Sequence, residues 1–149
     1  MGELVFLSVD VSRIAGVSKR QLQWWDERKV VSPRREAHRR VYVRQQVLEI
    51  LTVSALRRKG LSLQKIRRVL RLMRRELGPQ FSSALGRGTK LYLLTDGRSI
   101  HIDEQPERIL EWLTHAKNGM YLVCLNDQIA RVASKKAPHR YLTMQLQLF

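Results

Sequence analysis

The chain has 149 residues, 44% of them apolar, which suits one or two small domains with buried cores. Its 28 Lys and Arg against 13 Asp and Glu give a formal net charge of +15, an imbalance that points to a polyanionic partner, most commonly nucleic acid. A lone cysteine excludes an intrachain disulfide and any zinc site built on several cysteines, and with no apolar run long enough for a signal peptide or membrane span the expected location is the cytoplasm.

The excess of cations is uneven. Residues 1–77 hold 19 basic and 7 acidic side chains, residues 78–149 hold 9 and 6, so the polyanion is expected on the first half. There, Val11, Ile14 and Ala15 share one side of a short segment that Gly16 closes. Ser18 and Gln21 then form the S-x-x-Q capping box, in which each side chain satisfies a backbone donor at a helix start, so a helix begins at Lys19. Helix, tight turn and second helix within about twenty residues make a helix-turn-helix.

On the second helix Arg20, Gln23, Trp24 and Glu27 fall at i, i+3, i+4 and i+7 and share a face, while Leu22 and Trp25 point the other way. One face packs and the other is offered outward. Ser18 at the cap and Lys19, Arg20, Gln23 and Trp24 beyond it are the candidate DNA contacts, because the first turn of such a helix reaches base edges and its macrodipole favours phosphates. The planar fork of Arg20 suits guanine O6 and N7, and Gln23 suits adenine or a base reached through water. The Trp24 indole can donate to a phosphate; its competing role is packing against the segment that follows.

After Pro33 the chain carries Arg34, Arg35, Arg39 and Arg40 around His38, then turns to Val41, Tyr42 and Val43. This reads as a short β ribbon, a wing lying along the DNA backbone, against the alternative of a basic solvated loop. From Arg44 to Lys59, Val47, Ile50, Leu51, Val53 and Leu56 recur at helical spacing up to Gly60, where a left-handed cap is cheap. Ser62 caps a further helix with Ile66, Val69, Leu70, Met73 and Leu77 in a stripe and Lys65, Arg67, Arg68, Arg71, Arg74 and Arg75 around the rest. That basic surface is either an extension of a DNA footprint or a solvated face.

Taken in order, Gly16-Val17-Ser18, Arg20, Leu22, Trp24-Trp25-Asp26, Val30-Val31-Ser32-Pro33, Arg39-Arg40-Val41-Tyr42 and Gly60-Leu61-Ser62-Leu63-Gln64-Lys65-Ile66 resemble the MerR family of winged helix-turn-helix transcription regulators. The resemblance implies an N-terminal domain of four helices with a wing between the second and third, and makes Arg40 and Tyr42 backbone clamps at the family's Arg-x-Tyr positions. It also implies a homodimer on a two-fold related site and regulation by distorting a promoter. Gln23 stands where the family commonly has arginine and Trp24 where it has tyrosine. Lys29 and His38 stand where it usually has glycine, at a cost of about 1 kcal/mol each if the backbone there keeps φ > 0. Gly78-Pro79 leaves about four turns of the helix that usually forms the dimer's coiled coil, so dimerisation is expected to use another surface.

In the second half, Pro79 to Gly88 reads as a linker with a short helical stretch at Phe81 to Leu85, and Gly86-Arg87-Gly88 as a hinge. Leu91 to Thr95 and Arg98 to Ile102 read as strands joined at Asp96-Gly97. A helix starting at Pro106 carries Ile109, Leu110, Trp112 and Leu113 and exits at Gly119. Met120 to Leu125 is a strand, Asn126-Asp127 a turn, Gln128 to Val132 a strand or helical turn, and Leu142, Met144, Leu146 and Leu148 alternate with polar residues as a last strand. The fold class is therefore α+β: a winged helix-turn-helix over 1–77, a linker over 78–89, and over 90–149 a small α+β domain with antiparallel strands for dimerisation, effector binding or a protein partner.

His38, His101, His115 and His139 are scattered, Cys124 sits in an apolar strand, and Glu104, Glu107 and Glu111 have no partner base. Nothing assembles a metal site or a nucleophile with its base, so no enzyme, metal or cofactor is expected. The expected function is a sequence-specific double-stranded DNA-binding regulator acting as a homodimer. The alternative is a DNA-binding antitoxin whose C-terminal region docks a protein, and a recombination accessory factor ranks third.

Overall fold

The computed structural model describes residues 5–77, 91–117 and 119–125. Among these residues the contacts form two compact units, one up to Leu51 and the other from Thr52 on. In chain order the first contains β1 (Val5–Leu7), α1 (Ser8–Ala15), α2 (Lys19–Glu27), β2 (Arg34–Glu36) and β3 (Arg39–Val43). The boundary falls within α3 (Arg44–Arg58), and the second unit goes on to α4 (Leu63–Leu77), β4 (Tyr92–Thr95), β5 (Ile100–Asp103), α5 (Pro106–His115) and β6 (Tyr121–Cys124). The expected linker after Leu77, the segment Asn126 to Val132 and the alternating strand at Leu142 to Leu148 lie outside the described residues.

Local chemistry sets the helix ends of the first unit. Gly16, at φ 69°, ends α1, with the Val17 N–H returning to the Ser12 carbonyl at 3.2 Å. The expected capping box is formed: Ser18 Oγ accepts from the Gln21 N–H at 3.0 Å and Gln21 Oε1 from the Ser18 N–H at 2.9 Å. At the other end of α2, the Lys29 N–H bonds Asp26 O at 3.0 Å and the Val30 N–H bonds Trp25 O at 2.8 Å. That is a Schellman closure, which places its left-handed residue at Lys29, φ 57°.

A short strand that the sequence pattern does not reveal shapes this unit. β1 pairs antiparallel with β3, Phe6 opposite Tyr42, and β2 pairs with the other edge of β3, giving the order β1-β3-β2. β3 is therefore central, and Val41 and Tyr42, on opposite faces of it, are both 0% exposed. The turn between β2 and β3 is the two-residue pair Ala37-His38, both at positive φ, 51° and 66°. This is the primed geometry that matches the twist of a tight hairpin and normally selects Asn or Gly. The strain anticipated at Lys29 and His38 is thus present in the backbone.

α3 is buried on every side from Val47 to Ser54, including Glu49 and Thr52, beyond the single apolar stripe that the spacing suggests. In the second unit, α4 buries Ile66, Val69, Leu70 and Met73. β4 is the centre of a sheet ordered β5-β4-β6, all antiparallel. Its β4–β5 turn is held by Asp96 Oδ1, which accepts from the N–H groups of Arg98 and Ser99 at 2.8 Å each; these bonds, Ser99's first, hold the Asp96 carboxyl below its usual range. Of the four apolar residues Ile109, Leu110, Trp112 and Leu113 that α5 carries, Ile109 alone is buried. Leu110, Trp112 and Leu113 are 62%, 46% and 38% exposed, and Trp112 stacks on His101 of β5 at 3.8 Å.

Candidate nucleic-acid interface

The packing of α2 decides what it shows. Leu22 and Trp25 are 1% and 4% exposed and anchor the inner face, where burial of two such side chains contributes about 1.5–3 kcal/mol each. Lys19, Arg20, Gln23, Trp24 and Glu27 are exposed on the outer face. Lys19 and Arg20 stand in the first turn, at the positive end of the helix dipole. Both cations are available there.

The other expected contacts on this helix are engaged locally. Ser18 is exposed, but its hydroxyl holds the helix cap. Gln23 donates from Nε2 to Glu27 Oε1 at 2.9 Å, so reading a base requires exchanging that bond. The Trp24 ring lies beneath the Arg28 guanidinium at 4.2 Å, a cation–π contact that orders both on the surface.

On the wing, Arg34, Arg35 and Arg39 are exposed. Arg34 Nε is 3.0 Å from Glu36 Oε1. Arg40 is turned inward, its side chain 19% exposed, and its Nε donates to Asp26 Oδ2 at 2.7 Å; Arg35 reaches the same oxygen at 3.5 Å. Asp26 therefore ties the last turn of α2 to both strands of the wing. Arg40, expected as a clamp on phosphate, is in this structure committed to Asp26. The sequence reading missed Asp26 as a site residue, although it closes the Trp24-Trp25-Asp26 motif that carries part of the resemblance.

Tyr42 requires a plainer correction. It was expected to contact the DNA backbone, yet its side chain is fully buried, because β1 covers the strand that would otherwise be an edge. Burial pushes its phenol up to about 12, against the lowering effect of the nearby Arg40. It is a core residue.

Residues 8–73 match the family model of the MerR HTH family regulatory protein. This stretch is similar to the helix-turn-helix region of the MerR family. Its four helices and intervening wing are those the resemblance implies. A crystal structure of a transcriptional regulator of the MerR family from Bacillus cereus aligns with 97% of this chain and 96% of its own, at 15% identity and a TM-score of 0.43. No curated protein matches the chain. Among the described residues no group of three His, Cys, Asp or Glu could hold a metal ion, and no helix is long and apolar enough to cross a membrane.

Proposed function

We propose that the chain is a sequence-specific double-stranded DNA-binding transcription regulator that acts as a homodimer. The observation that carries this reading is the two-sidedness of α2: an inner face locked by Leu22 and Trp25 and an outer face of Lys19, Arg20 and Gln23, held to a cationic hairpin through Asp26. Arg20 is the base-reading residue and Lys19, Arg34, Arg35 and Arg39 are phosphate contacts. Two copies are needed because one such domain covers a half-site, and joining two raises affinity without new contacts.

Genome-wide mapping of bound sites tests the whole reading. Two-fold related half-sites placed at promoters are expected; scattered, asymmetric binding contradicts it. A second reading, the DNA-binding antitoxin, draws on the exposed Leu110, Trp112, Leu113 and Leu122 of the second unit, which suit a protein partner. It predicts a stable complex with the product of an adjacent gene that Leu110→Asp disrupts.

A further inference from the structure

Apart from Trp24, the large apolar side chains exposed among the described residues all lie in the second unit, on α5 and β6. Register and helical period bring three of them to one side. Leu94 is opposite both His101 of β5 and Leu122 of β6, so these three share a face of the sheet. Trp112 stacks on His101 and Arg108 reaches Asp103 at 3.4 Å, so α5 lies on that face with Arg108 and Trp112 toward β5. Leu110 and Leu113, about 60° apart around the helix, lie across the buried Ile109 from that pair and turn toward Leu122. A single exposed leucine needs no explanation; a group of three marks a contact surface.

The charges beside this group are arranged for a copy of itself. Glu107 stands in the first turn of α5 and Lys117 just beyond the last, both exposed. Among the described residues neither side chain has a hydrogen bond or ion pair. The midpoint between Glu107 and Lys117 and the midpoint between Leu110 and Leu113 both fall beside Trp112. A two-fold axis placed there, between antiparallel copies of α5, sets Leu110 of each on Leu113 of the other and Glu107 of each beside Lys117 of the other, as an interface made of one patch used twice requires. Glu111, close to the axis in sequence, points about 130° away from the leucine pair, so the two copies of this acid do not meet.

We propose that this surface docks a second copy of the chain, α5 antiparallel to α5. The inference rests on the homodimer reading above and names the interface for it, wholly within the second unit. Three leucines a copy are far fewer than the roughly 20–30 residues a side of a stable interface. The free chain therefore associates weakly and reversibly, and two copies held on neighbouring half-sites complete the contact at high effective concentration.

The test uses the full chain in sedimentation equilibrium over a concentration series, and in titration of a duplex selected from a random library by the unaltered protein. The unaltered protein should show a reversible monomer–dimer equilibrium and load two copies cooperatively on the duplex. Leu110→Asp should remove both the dimer and the cooperativity, with the melting temperature unchanged at concentrations where the chain is monomeric, since Leu110 is 62% exposed. Glu107→Lys alone and Lys117→Glu alone each set like charges together at two points and should weaken the dimer by about tenfold. An equal mixture of those two variants recreates unlike pairs at both points and should return the dimer to its original strength. A dimer that Leu110→Asp leaves intact overturns the interface, as does a mixture that dimerises no better than either variant alone. Two copies per duplex whose cooperativity no variant alters overturn the interface and leave the homodimer reading standing, whereas a single copy per duplex contradicts that reading itself. A chain that stays monomeric and binds the product of an adjacent gene through Leu110 overturns self-association in favour of the antitoxin.

Discussion

The first unit keeps Leu22, Trp25, Phe6 and Tyr42 at 4% exposure or less, and leaves one large apolar residue outside, Trp24, with the Arg28 guanidinium over its ring. In the second, the ten-residue α5 and the three-stranded sheet leave Leu110, Trp112, Leu113 and Leu122 on the surface. Where a unit closes its core, the residues left outside are there for their charge, and their chemistry can be read directly. Where apolar residues stay outside, charge says little and contact with something else says more.

The contrast breaks most visibly at its tryptophans. Trp25→Ala should cost about 3–5 kcal/mol in denaturant unfolding, through lost transfer energy and a cavity. Trp112→Ala, at 46% exposure with one stacking partner, should cost under about 1.5 kcal/mol. Equal losses would erase the distinction between the units.

Tyr42 sharpens the contrast through pH. Its folded pKa, about 12 against 10.0, is raised, so its contribution is complete below pH 10 and is lost as pH rises toward 12. That rise corresponds to at most about 2–3 kcal/mol. Tyr42→Phe should remove that component of the alkaline loss, read as unfolding free energy from pH 9 to 12 in both proteins.

Asp26→Ala sets charge against geometry. If net charge alone governed affinity, removing an acid would strengthen DNA binding. If Asp26 works by holding Arg40 and Arg35, binding should weaken by about tenfold, or about 1.4 kcal/mol. Tighter binding would mean that the wing needs no tether.

The smallest effects are expected at the two strained residues. Lys29→Gly and His38→Gly, each at positive φ, should raise stability by about 0.5–1 kcal/mol, visible as a higher melting temperature.

These positions also mark where the sequence was legible. Ser18 and Gln21 announce the start of α2 because a capping box is a local device, and the exposure of Arg20 follows from helical period. β1 was not legible: three residues are too few to show an alternation, and its effect on Tyr42 is felt 36 positions away. Positive φ at His38 was flagged by the resemblance, whereas at Ala37 it escaped, since alanine does not signal it. The apolar period on α5 was visible, but period alone does not say how much of a stripe a small sheet can cover.

The central claim is that the outer face of α2 reads bases. Binding of the unaltered protein and of Arg20→Ala should be compared on a set of duplexes in which each position of the selected site is varied singly. The account predicts that Arg20→Ala loses preference at one position per half-site, worth about 1–3 kcal/mol, with the other positions unaffected. A uniform loss across all duplexes, with every preference retained, would contradict it.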